Sequence, residues 1–417
     1  MSKPRVGLIL GSAVFAYFVT VIERSSMGVA SLAATERFHV GAATLSSLAV
    51  SQLAVYAAMQ IPVGLLLDRF GAKRLIILGS LITGIGNSVV AFSPHISMAV
   101  AGRMLVGFGD AFVFVSMIRL VNGWVPGGRA TRFTQLFANI GQLGQIASAI
   151  PFAYILGFAG WSVAFSVVAS LALVSAAVGT IFLREEPGAR SGATEVSWKK
   201  LLRKNLKDAK TRKAFWVHFT LQSSGSMFIL LWGYPFLVQG EGLPKSTAST
   251  LLSSFVFIGF LIGPVLSRLC IKYPARRHLL VLTMYSLMIA AWLLILLTPG
   301  QNPLWQIVLL VLCIGSGGPA SMMAFDYSRT SIPKDRLGSA NGVINSGGFV
   351  ATFSSMLLVG LALDFIHANK IFGEAQLYSL PAFKAAFLLL LAVVTFGLLM
   401  FYRERAITQK NIAAVGE

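Results

Sequence analysis

The chain has 417 residues, of which 56% are hydrophobic and 12% charged, with a formal net charge of +19 from 34 Lys+Arg against 15 Asp+Glu. Soluble domains carry about 25% charged residues, so this chain has too little polar surface to coat a water-soluble globule, and a bundle of membrane helices is the class that remains. The cations would suggest a nucleic-acid surface if they shared one face. They lie instead between apolar runs, which argues against that class.

Twelve apolar runs are long enough to cross about 30 Å of hydrocarbon: residues 6–34, 42–67, 75–92, 96–124, 133–156, 161–183, 214–238, 248–269, 279–297, 304–327, 341–366 and 383–402. Of the 34 Lys+Arg, 27 fall at the termini and in every second interval. Four (Arg37, Lys245, Lys370, Lys384) fall in the other intervals, and three (Arg24, Arg103, Arg119) lie well inside runs, with Arg268 and Lys384, at the ends of their runs, counted with the intervals they border. Basic loops stay on the cytoplasmic side, so this split predicts both termini in the cytoplasm of a multi-pass inner (plasma) membrane protein. The first run is too long for a signal peptide and is expected to be retained.

In the first run, Glu23-Arg24 is followed by Ser25-Ser26-Met27-Gly28-Val29-Ala30. A charge at the centre of a span costs about 2.5–3.5 kcal/mol on insertion scales, so each is a functional candidate. Tyr17, Thr20, Arg24 and Met27 share one helical face and could line a cavity. Glu23 lies about 100° round the helix from Arg24. A self-neutralising pair near the outer interface is the structural alternative.

The second run ends in Gly64-Leu65-Leu66-Leu67-Asp68-Arg69-Phe70-Gly71-Ala72-Lys73-Arg74, and the third starts at once. Gly71 allows the turn, and Arg69, Lys73 and Arg74 hold it on the cytoplasmic side. The segment resembles the G-x-L-x-D-R-x-G-x-[KR]-[KR] loop between the second and third helices of the major facilitator superfamily. The resemblance implies an all-α membrane protein with twelve transmembrane helices in two pseudo-symmetric six-helix bundles. It also implies a secondary transporter that works by alternating access and is not an enzyme.

In the fourth run Arg103, Gly107, Asp110 and Phe114 share a face, and Gly102–Gly109 resembles the superfamily's R-x-x-x-G-x-G motif, whose arginine is linked there to proton coupling. Asp110 lies about 20 Å from the outer end, near mid-depth. Desolvated, such an acid can exchange protons; beside a guanidinium it stays ionised. The distance from Arg103 to Asp110 is therefore expected to decide whether Asp110 is a carrier or part of a static ion pair. The fifth run carries Gln135, Asn139, Gln142 and Gln145 among Gly141 and Gly144, and the eleventh repeats the theme in Asn341, Asn345, Gly347 and Gly348. Helix packing is the preferred reading of both, pore lining the alternative. The G-P-x-x-G-G signature of proton-coupled drug exporters is absent from the fifth run.

The longest polar interval, residues 184–213, repeats basic residues at three and four positions through Lys199, Lys200, Arg203, Lys204, Lys207 and Lys210. It reads as an amphipathic basic helix on the inner membrane face, with a lipid-regulatory site as one possibility and a solvated linker as the other. It divides the chain into an N-terminal six-helix bundle (1–184), a cytoplasmic basic linker (185–213) and a C-terminal six-helix bundle (214–417). The seventh run offers Gln222 and ends in Trp232-Gly233-Tyr234-Pro235-Phe236, where Gly233 and Pro235 can break the helix. The aromatics there are either an outer gate or an interfacial belt. Gly315-Ser316-Gly317-Gly318-Pro319 predicts another bend in the tenth run.

Cys270 and Cys313 have no metal-ligand spacing, and no phosphate-binding loop or hydrolase motif occurs, so neither cofactor nor metal is expected. The Glu23–Ala30 stretch resembles the first helix of the superfamily's anion:cation symporter branch. This implies a small organic anion or zwitterion, such as an amino acid, peptide or carboxylate, drawn in with protons by a monomeric transporter. Arg24, Tyr17, Thr20, Gln222 and Trp232 would contact the substrate. Asp110, Arg103 and Glu23 would couple protons, and Gly64, Asp68, Arg69, Gly71, Lys73 and Arg74 would form the gating loop. A proton-coupled exporter of drugs or metabolites, and a transporter-like scaffold that moves nothing, are the alternatives.

Overall fold

The computed structural model describes residues 3–125, 129–185, 198–374 and 376–416, and among them every regular element is helical. An apolar backbone in hydrocarbon has no water to bond, so helices satisfy it internally. Among the described residues, ten helical segments are long and apolar enough to span a membrane. One of them, 139–182, holds two of the expected runs, separated at Gly160 (φ 81°). The seventh expected run is absent from the ten because its helix is interrupted several times.

The chain divides into two compact units, residues 1–40 with 47–194, and residues 41–46 with 195–417. The first contains α1 (Lys3–Phe38), most of α2 (Ala42–Phe70), α3 (Ala72–Phe92), α4 (Ile96–Trp124), α5 (Arg129–Ala147) and α6 (Ala153–Phe182), with a wide π-type turn at Ser148–Phe152 around Pro151. Packing in this unit is set by glycine. A Cβ at Gly86 would lie 2.7 Å from the Gly102 carbonyl oxygen, and one at Gly109 would lie 2.5 Å from that of Gly79. The α3 and α4 backbones therefore touch at two crossings seven residues apart, and no larger residue fits there without movement. The Trp161 indole donates to Val90 O (2.9 Å) and Ser162 to Ala91 O (2.9 Å), which satisfies carbonyls at the end of α3.

The second unit contains α7 (Trp198–Lys207), α8 (Ala209–Met227), the single turn α9 (Gly233–Pro235) between π-type turns at Phe228–Trp232 and Phe236–Gly240, α10 (Lys245–Lys272), α11 (Arg277–Leu297), α12 (Leu304–Gly315), α13 (Gly317–Ser321), α14 (Met323–Ser331), α15 (Lys334–Ala368) and α16 (Leu380–Gly416). Both bends expected from glycine and proline are present, at Gly233–Pro235 and at Ser316. The aromatics around the first bend form a core, with neither an open gate nor a belt: Phe236 packs on Phe383 and Phe387, and Trp292 donates to Ser224 Oγ (2.7 Å). Residues 41–46 group here because Asp364 accepts from Ala42 N (2.7 Å) and Ala43 N (2.9 Å), capping the start of α2.

Candidate functional site

The first unit gathers four ionisable side chains from α1 and α4. Arg24 spans Asp110 with both arms of its guanidinium, Nε to Oδ2 at 2.8 Å and Nη2 to Oδ1 at 2.7 Å. Paired planar bonds of this kind are the strongest charge-assisted contact available to a carboxylate. The arginine side chain is 15% exposed and the aspartate 1%, so the guanidinium is the member of the pair that an incoming solute can reach. The Tyr56 ring supports the cation from one side, its centroid 4.7 Å from Cζ. Tyr17 packs on Phe114 (4.8 Å) and its hydroxyl accepts from Gln142 (3.0 Å). Gln142 accepts in turn from Gln145.

Glu23 points to a different partner, as its 100° offset from Arg24 requires. It is fully buried. Its Oε1 accepts from Asn87 Nδ2 on α3 (3.0 Å), while Oε2 has no hydrogen-bond partner among the described residues. Thr83 flanks the carboxylate but donates its hydroxyl to Ser80 O (3.1 Å). Arg103, also fully buried, donates through Nη1 to the Glu23 backbone carbonyl (3.2 Å), and its Nε lacks a partner among the described residues. The four formal charges cancel in sum, which limits the cost of burying them. The cancellation is uneven, because Arg24 and Asp110 are fully matched whereas Glu23 and Arg103 each keep an unmatched atom.

Asp110 is therefore in an ion pair, with Arg24 rather than with Arg103, the partner the helical register suggested. Thr20 is buried and spends its hydroxyl on Tyr17 O (2.9 Å), so it offers no free donor. The amide stripe of α5 packs on α1. Gly141 and Gly144 approach α1 closely enough that a Cβ at either would strike Tyr17 or Phe18 O, while Gln142 reaches the Tyr17 hydroxyl.

The second unit has a polar centre without formal ion pairs. Gln222 donates to Ser226 Oγ (2.7 Å) and accepts from Ser321 Oγ (2.9 Å). His218, one turn earlier on α8 and 2% exposed, faces Ser321 O at 3.3 Å and has the Phe325 ring 5.3 Å away. Gly348 permits this contact, since a Cβ there would lie 2.7 Å from the His218 ring. Trp232 lies elsewhere. It is fully buried, donates to Met356 O (2.9 Å) and packs near Tyr378 and Phe383.

At the expected gating loop Gly71 takes φ 80°, a left-handed value that suits only glycine without strain. The first two amides of α3, Ala72 N and Lys73 N, donate to the two oxygens of Glu185 (3.0 Å each), and Lys73 Nζ reaches Thr180 O (3.3 Å). A carboxylate from beyond α6 thus caps α3 and complements its positive end. Arg69 and Arg74 are exposed, with Arg69 over the Phe70 ring. Gly64 has open space where a Cβ would be, and the Asp68 side chain lies outside the described residues. Sequence reasoning missed Glu185, Asn87, Tyr56 and His218. None falls in a motif, and only Glu185, the acid nearest the sixth run's end, gave any signal.

The Major Facilitator Superfamily model matches residues 13–356. The chain belongs to that superfamily. It is a multi-pass membrane transporter, with a small-molecule substrate and the lipid bilayer as its surroundings, and not an enzyme. Among curated relatives of this transporter, "Probable sulfoacetate transporter SauU" of Cupriavidus necator is 30% identical over 190 residues, a match that covers only 45% of this chain and 44% of the relative. "Probable galactarate/D-glucarate transporter GarP" of Escherichia coli K12 is 23% identical over 84% of this chain and 86% of its own. Among solved structures, a bacterial homolog of the human lysosomal transporter Spinster, inward-facing and unoccupied, superposes with a TM-score of 0.78 at 13% identity, covering 97% of this chain and 98% of the other. At that identity the likeness is one of fold.

Proposed function

We propose that this transporter carries a small organic anion with at least one carboxylate into the cell by proton-coupled symport, through alternating access of halves at 1–184 and 214–417 joined by 185–213. The observation that carries the reading is the Arg24–Asp110 fork: a partly exposed guanidinium already holding a carboxylate in the geometry a substrate carboxylate would take. Asp110 stands in for the substrate, and exchange of one carboxylate for the other keeps the buried cation paired throughout. The names of the relatives agree in chemistry, since sulfoacetate, galactarate and glucarate are all small anions bearing carboxylates.

Glu23 is the better proton carrier of the two acids. Asp110 is fully bonded to a guanidinium, whereas Glu23 Oε2 is buried without a hydrogen-bond partner among the described residues, and a proton placed there removes a poorly compensated charge. Arg103, bonded to the Glu23 backbone, positions it. Gln222 and Ser321 supply neutral hydrogen-bonding groups suited to a hydroxyl or a second anionic end. Thr20 and Trp232, committed to backbone carbonyls, have a structural role. Of the aromatics in the seventh span, which would favour export of amphiphilic solutes, Trp232, Tyr234 and Phe236 are buried, which speaks for the carboxylate reading. The protein is taken to work as a monomer in the inner membrane with both termini in the cytoplasm.

Proteoliposomes test this. With an inward proton gradient and a panel of C2–C6 mono- and dicarboxylates, the protein should accumulate at least one of them. Arg24→Ala should abolish that uptake while the protein still folds. Glu23→Gln should lose gradient-driven accumulation yet keep exchange of labelled for unlabelled substrate. Full uptake by Arg24→Ala, or antiport against protons, would overturn the reading.

A further inference from the structure

The amphipathic helix α7 is absorbed by none of this. The ten residues are pinned on one side: Asn205, fully buried, donates to Ser339 Oγ on α15 (2.8 Å), and Arg336 of α15 pairs with Asp208 (3.1 Å), which follows α7. Arg212 donates to Leu206 O at the end of α7 (3.1 Å) while it grips Glu404 with both arms (3.0 and 2.9 Å). These contacts fix the rotation of α7. They also engage Asp208 and Glu404, two acids near its cations.

The opposite side is exposed and basic. Arg203, Lys204 and Lys207 lie within an arc of about 100°, all exposed, and among the described residues none has an ion-pair partner. Leu206, 51% exposed, flanks that arc. Lys210 and Lys213 follow at the start of α8, where the membrane run begins. Burial, and then repulsion from Arg405, Lys210 and Arg277, holds Lys213 below the ordinary lysine range, with Asp208 opposing only weakly. Among the described residues, positive charges at this end of the unit outnumber the negative ones.

We propose that the exposed face of α7 is a docking surface for the anionic headgroups of the membrane's inner leaflet: Arg203, Lys204 and Lys207 meet the phosphates and Leu206 dips among the upper acyl carbons. Charge complementarity selects this occupant, and an exposed leucine flanking a basic arc at a bilayer edge is how an interfacial helix binds. Because α7 is bonded to α15 through Asn205–Ser339 and Asp208–Arg336, headgroups held there also steady that end of α15.

The test uses the full chain purified in a neutral detergent, with its melting temperature followed as phosphatidylglycerol or phosphatidylcholine is added in mixed micelles. Phosphatidylglycerol should raise it and phosphatidylcholine should not. In R203Q/K204Q/K207Q the phosphatidylglycerol needed for half the effect should rise roughly 100-fold, since each cation near an anionic surface contributes about fivefold. The charge-preserving variant R203K/K204R/K207R should respond as the wild type does. Three outcomes would overturn the proposal: equal stabilisation by phosphatidylcholine, equal stabilisation by inorganic phosphate, or an unchanged response in the glutamine variant. If the glutamine variant does not fold in lipid-free detergent, a rise of about fivefold in the phosphatidylglycerol needed by the single variant Lys204→Gln takes its place, and an unchanged requirement there counts against the surface.

Discussion

The first unit places four ionisable side chains, Glu23, Arg24, Arg103 and Asp110, around one buried centre; along α8 and α13 the second unit arranges His218, Gln222, Ser226 and Ser321, joined by uncharged hydrogen bonds. The two centres face the same low-dielectric surroundings and solve the problem differently. Charges must be matched one against another, and any change of partner is costly unless a substitute arrives. Amides and hydroxyls can be rearranged among themselves for about 1 kcal/mol per bond. The charged centre can therefore change only when a matching charge or a proton arrives, whereas the neutral centre can rearrange at small cost.

Three substitutions sharpen this contrast. The largest effect is expected from Asp110→Ala, which leaves the Arg24 guanidinium without its carboxylate; unfolding free energy should drop by about 3–5 kcal/mol, towards the lower end because Arg24 is partly exposed. Denaturant titration in detergent measures it, and addition of a transported carboxylate should return part of the loss. Gln222→Ala in the neutral centre should cost only about 1 kcal/mol and raise the KM for uptake about fivefold. If it proves as damaging as Asp110→Ala, the division between charged and neutral centres is wrong. The smallest effect belongs away from both centres: Glu185→Gln weakens the cap on α3 by about 0.5–1 kcal/mol, read as a small fall in melting temperature with substrate affinity unchanged.

Much of the architecture was legible because it depends on composition along the chain. Apolar runs, the turn at Gly71 and the bends at Gly233–Pro235 and Ser316 follow from local chemistry, and each appears where the residues put it. The charged centre was half legible. Charges inside spans advertise themselves, so Glu23, Arg24, Arg103 and Asp110 could all be named in advance. Their pairing could not, since the register along α4 joined Arg103 to Asp110 whereas the crossing of α1 and α4 hands Asp110 to Arg24. Trp232 misled for a related reason: an aromatic beside a helix break can swing or can pack, and Phe383, Tyr378 and the Met356 carbonyl make it pack.

By itself the sequence determined the solvent of this protein. A chain so poor in charge, with its cations restricted to alternate intervals, has helices in lipid as its stable form, and backbone hydrogen bonding leaves no other choice. Which buried charge answers which, and therefore which carboxylate keeps an unmatched oxygen, was decided only in three dimensions. Glycines at 79, 86, 102 and 109 bring α3 and α4 into contact, and on α3 Asn87 reaches Glu23 of α1 across a gap of 64 residues in the chain. Partners so far apart are joined by helix crossings, and the closeness of a crossing depends on what both helices present at once.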